Sequence, residues 1–260
     1  KGLDGGKIVN RDRLEKVAAD TRFIPGIYNY CDRWCERCPQ TSHCLNFFLL
    51  EKEFSDPETQ DMRNEAFWRK VSGILGETLE LLREAAKKWG IDLEALGSMD
   101  DIENMKAKDE AAENDLLCRA AKRYSDMVED WFSGREPLFF ETAAAAREGV
   151  DLEEAFEVIR WYQHFISAKT MRAVRGKIEE EEERCDELGS DSNGSAKIAL
   201  IAMDRSIAAW AVIRHYDTRG DERVLDIIAF LDRLRQAVEK AFPSARSFIR
   251  PGFNRIDLNG

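Results

Sequence analysis

Apolar residues recur every three or four positions along most of this chain, and the elements they predict are helices. Between Asp61 and Trp89, residues Val71, Ile74, Leu75, Thr78, Leu81, Leu82 and Ala85 keep that spacing, and Gly90 supplies a stop. The period resumes from Asp115 to Phe132 through Leu117, Ala121, Tyr124, Val128 and Trp131, and Ser133-Gly134 ends it. A strong helix capped by Asp151 carries Leu152, Ala155, Phe156, Ile159, Tyr162 and Ile166 and is expected to run toward Leu188. Ala196 to His215 is the most apolar helix, and Arg223 to Ala241 the last amphipathic one. Shorter helices are expected over Asn10 to Ala19, Cys44 to Phe54 and the alanine-rich Glu141 to Glu148, which Gly149 cuts.

The interruptions are equally patterned. Pro25-Gly26 turns the chain within Arg22 to Tyr30, Pro57 closes the element before it, and Pro243 and Pro251 keep Phe242 to Gly260 irregular. Ile91 to Asn114 alternates charges with little apolar content, which predicts a solvated connector holding one or two short helices. Gly189 to Ser195 predicts a flexible loop. It contains the sequon Asn193-Gly194-Ser195, which a cytoplasmic protein would leave bare. With no period-two run, no Asn-Gly hairpin and no internal repeat, the predicted class is all-α. The expected architecture is a helical bundle with an irregular N-terminal cysteine-rich metal-binding segment. Residues 1–56 form that segment and 57–260 the bundle, with the first docked on the second as one continuous domain.

Composition narrows the function classes. A chain of 260 residues with 43% hydrophobic and 34% charged residues is globular and long enough to bury a sizeable core. Its net charge of −11 argues against general nucleic-acid binding and against an anionic membrane surface. No run of about 18 apolar residues predicts a membrane span. The opening Lys1 to Lys7, with three glycines and no apolar core, lacks the features of a signal peptide.

Six cysteines are too sparse for a disulfide scaffold, and Cys31, Cys35, Cys38 and Cys44 crowd into a single stretch. A reducing, cytoplasmic setting is the expectation. The four read C-x3-C-x2-C-x5-C, short intervals that let thiolates converge on one zinc ion or one iron-sulfur cluster without long-range folding. Pro39 directs the chain away from the site, Arg33 and Arg37 offset thiolate charge, and His43 is an alternative ligand beside Cys44. Two disulfides or four buried thiols are the competing assignment. Zinc sites usually pair two C-x2-C knuckles, and only one is present.

The later half, C-x2-C-x5-C with Pro39 after the second cysteine, resembles the cluster-binding run of several proteins that hold a [4Fe–4S] centre, over ten residues only. The C-x3-C-x2-C part matches the radical S-adenosylmethionine triad in spacing, but that motif follows the first strand of an α/β barrel, and no strand is predicted. The stretches Tyr28 to Cys38 and Ser195 to Trp210 resemble bacterial proteins known only as uncharacterised, which implies no function.

A second candidate site lies in the bundle. Glu157 and His164 are two helical turns apart, Asp204 and His215 three, so each pair shares a face. Together they read as a metal-binding or acid/base cluster, although neither histidine has the Glu-x-x-His partner of a di-iron bundle. The competing reading is a buried salt-bridge network in which Asp204 or Glu157 pairs with Arg205, Arg160 or Arg172. Cys118 reads as a packing residue and Cys185 as an incidental surface thiol. Most of Trp34, Trp68, Trp89, Trp131, Trp161 and Trp210 are expected in the core.

Three roles follow: a metalloprotein with a structural four-cysteine centre, a redox enzyme passing electrons from an iron-sulfur centre to a pocket near Asp204 and His215, or an acidic module binding a basic protein. The acidic surface of the third would be Glu179 to Glu183 or Asp100 to Asp109.

Overall fold

The computed structural model describes residues 20–93, 99–133, 149–183, 189–216 and 222–254. Every regular element among them is helical. We number the α-helices α1 (Leu45–Glu53), α2 (Glu65–Trp89), α3 (Met99–Asn114), α4 (Leu116–Phe132), α5 (Gly149–Glu183), α6 (Gly189–Tyr216) and α7 (Glu222–Ala241). No helix among the described residues is long and apolar enough to cross a membrane. The expected helices over Asn10 to Ala19 and Glu141 to Glu148, and Cys185, lie outside the described residues.

The chain divides into two compact units. The first comprises Lys1–Asn29, Arg33–Asn104 and Pro251–Arg255. Cys44 and Phe54 cap α1, so the expected helix loses one residue at each end. Helix α2 starts at Glu65 rather than Asp61, because Asn64 Oδ1 accepts the Ala66 amide at 3.0 Å while Asp61 is held in a local turn with Arg63. Gly90, at φ +69°, closes it. Phe54 packs on Phe67 with ring centroids 5.7 Å apart, and the Lys70–Glu53 ion pair at 2.7 Å ties α2 to α1. At Gly252, also in this unit with φ +76°, a Cβ would lie 2.7 Å from Ile27 Cδ1, so only glycine fits.

The second unit comprises Tyr30–Asp32, Met105–Arg250 and Ile256–Gly260. Within it α4, α5, α6 and α7 close into a four-helix bundle, each packing on its chain neighbour and α7 returning to α4. The Ser125–Gln163 and Trp131–Phe156 contacts run in opposite chain directions, so α4 and α5 are antiparallel, as short connections impose on α5–α6 and α6–α7. Trp210, Tyr124, Tyr162, Ile159, Ile198, Met203 and Leu231 fill the core. The Tyr124 hydroxyl accepts the Trp210 indole N–H at 3.1 Å, so both large side chains bury their polar tips satisfied.

Several expectations are corrected here. Gly189 to Ser195 is no loop; it forms the first turns of α6, with Ser192 and Ser195 buried. Small residues that resemble a turn cluster instead let α6 approach α5 closely: a Cβ on Gly176 would meet Ser192 Cβ at 3.3 Å. Asp151 does not cap α5, which already includes Gly149. The predicted connector holds a helix as expected, α3 among its described residues, but it is not wholly solvated: Ala112 is fully buried and Asp109 pairs with Arg175 at 2.7 Å. The acidic end of α5 is partly engaged, since Glu179 pairs with Arg175 and Glu180 accepts the Ser192 hydroxyl. Among the tryptophans, Trp131 and Trp210 are buried, whereas Trp68, Trp89 and Trp161 are exposed.

Candidate functional site

In the first unit, two short 3-10 turns organise the cysteine segment, Cys35–Arg37 and Thr41–His43. The Gln40 amide points at Cys38 Sγ at 3.4 Å, and the Phe47 amide points at Cys44 Sγ at 3.5 Å, so the Cys44 side chain serves as the N-cap of α1. Backbone amides aimed at sulfur are hydrogen bonds of the kind that metal-bound cysteines accept. Cys31, Cys35, Cys38 and Cys44 are each half-buried thiols rather than disulfide halves. His43 Nδ1 donates to the Arg22 carbonyl at 2.9 Å. The Arg37 guanidinium stacks 4.1 Å over the Trp34 ring. Among the described residues, no group of three or more His, Cys, Asp and Glu side chains is arranged to hold a metal ion.

In the second unit, Cys31 lies between two anchors. Tyr30 donates its hydroxyl to Asp191 Oδ1 at 2.9 Å, and Arg172 pairs with the same carboxylate. The Tyr30 ring packs 4.7 Å from Phe248 and above Gly194, where a Cβ would fall 2.6 Å from Tyr30 Cδ1. Asp32 Oδ2 accepts from Tyr162 at 2.8 Å and from Arg205 at 2.5 Å, while the Trp161 indole N–H donates to the Asp32 carbonyl at 3.0 Å. Burial pushes the Tyr162 hydroxyl up to about 12. Burial, with the Arg205 charge beside it, lowers the Arg250 guanidinium; Asp32 and Cys31 pull it the other way. Sequence reasoning missed these anchors. Tyr162 was visible only as an apolar-face residue, and Asp32 only as a neighbour of Cys31.

The bundle candidates are surface groups. Glu157, His164 and His215 are exposed, and Asp204 is part-exposed at the rim of α6. The expected burial of Asp204 and Arg205 is therefore corrected: the apolar residues of α6 face the core, and these two charges sit at its edge. Asp204 does form ion pairs, with Arg246 at 2.6 Å and Arg235 at 3.8 Å, and Arg246 also holds Glu239. Those partners come from α7 and the segment after it. Arg205 and Arg172 instead serve Asp32 and Asp191, and Arg160 stacks over Phe132. Compared with known proteins, the chain matches no family model, no curated protein and no solved structure.

Proposed function

We propose that this chain is a metal-binding helical protein in which Cys31, Cys35, Cys38 and Cys44 hold a [4Fe–4S] cluster or a zinc ion. The observation that supports the reading is the pair of backbone amides directed at Cys38 and Cys44, hydrogen bonds of the kind that orient metal-bound sulfur. Cys35 opens one 3-10 turn, Cys38 follows it and Cys44 caps α1, so ligation would tie that segment to the first helix. The ligand set is completed by Cys31, four residues before Cys35. Such a centre belongs in a reducing, cytoplasmic compartment, where these thiols stay available.

Purification under anaerobic conditions separates the two metals. A brown protein with broad visible absorbance supports the cluster, and with it an electron-transfer role; a colourless protein with one bound zinc supports a structural role. Colourless, metal-free protein whose four thiols react at once with a thiol reagent would refute both.

A further inference from the structure

In the first unit, α2 carries an apolar edge that the described residues of that unit leave exposed. Trp68, Leu75, Leu82 and Trp89 recur every seven residues, and Leu79 lies beside them. These five side chains are between 47% and 71% exposed. The adjoining apolar edge, Val71, Ile74, Leu81 and Ala85, is partly covered. We infer that this edge is the self-association surface of the protein, and that its partner is α2 of a second copy.

Three observations select that occupant. An apolar seam with a strict seven-residue repeat over 22 residues is the pattern that packs one helix lengthwise on another. Among its described residues the second unit presents no such stripe: Met105, Leu116, Trp161, Leu225 and Ile249 are exposed singly, on different elements. The helix is also close to neutral, with four acids against five bases, so two copies meet there without the repulsion their net charge of −11 imposes elsewhere. The two tryptophans and three leucines offer on the order of 500 Å² per copy, hence on the order of 1,000 Å² for a pair, which reaches the size of a specific interface.

Sedimentation equilibrium of the full chain tests this. Wild type should give twice the mass of one chain at micromolar concentration, and the Leu75→Glu/Leu82→Glu variant the mass of one chain with unchanged helical circular dichroism. If that variant fails to fold, Trp89→Ala should still weaken the dimer at least tenfold. A wild-type protein that stays at single-chain mass at every attainable concentration overturns the proposal. So does a folded variant that dimerises as tightly as wild type.

Discussion

Asp32 accepts the Tyr162 hydroxyl at 2.8 Å, and Arg205 reaches both groups through the same Nη1 atom. The turn bearing Cys31 is thereby fixed to the facing sides of α5 and α6 by a three-membered polar cluster. Because Tyr162 is buried, its hydroxyl has no ready water to replace Asp32. Tyr162→Phe should cost about 1 kcal/mol, and Asp32→Ala about 1–3 kcal/mol, since it strands the hydroxyl. A double-mutant cycle read by urea midpoints should give a coupling energy of at least about 0.5 kcal/mol. Additive effects would show that the contact contributes nothing.

Gly194 makes room for Tyr30. Replacement by alanine puts a methyl group 2.6 Å from Tyr30 Cδ1 and 2.8 Å from Phe248 Cζ, inside van der Waals contact. Gly194→Ala should therefore destabilise by about 1–3 kcal/mol despite the higher helix propensity of alanine. In a Tyr30→Ala background the sign should weaken or reverse, a comparison that thermal melting of the four proteins decides.

Alkaline stability follows from buried hydroxyls. Burial raises Tyr124 from 10.0 to about 12, although its hydrogen bond from Trp210 pulls downward. Between pH 10 and pH 12 the unfolded chain gives up a proton that the folded chain retains. Stability that is intact below pH 10 is thus lost as pH rises toward 12. Tyr124→Phe should be about 1 kcal/mol less stable at neutral pH, because the Trp210 N–H loses its acceptor. Its decline across pH 10–12 should be shallower than that of wild type, as chemical denaturation at each pH would record.

How far the sequence disclosed this structure depended on where each partner lay. Helices α2, α4 and α7 were recognisable because their apolar stripes are long and their caps local: Asp115 caps α4 and Gly90 closes α2. The start of α6 was not, because serine and glycine are both turn formers and the small residues that close helix packing requires. The three-and-four spacing on α2 showed an apolar face, but not whether its own chain covers it, so Trp68 and Trp89 were misjudged. The cysteine spacing was plain, whereas the anchors at Tyr30 and Asp32 depend on residues far along the chain.

Asp204 illustrates the same limit. Its arginines come from α7 and the segment beyond it, and no helical spacing within α6 points to them. At a part-exposed rim the network is worth little: Asp204→Asn should cost about 0.5–1 kcal/mol at low salt and less at high salt. Metal content should be unchanged. A loss of bound metal in that variant would restore Asp204 to a ligand role.

Elemental analysis of freshly purified protein tests sulfur ligation most directly. Wild type should carry about four iron atoms with matching sulfide, or about one zinc, per chain. Cys38→Ser should lose most of that metal and melt at a lower temperature, because the metal's binding energy is also folding energy. Wild-type protein without stoichiometric metal, or a Cys38→Ser variant with the same metal content and melting temperature, would contradict it.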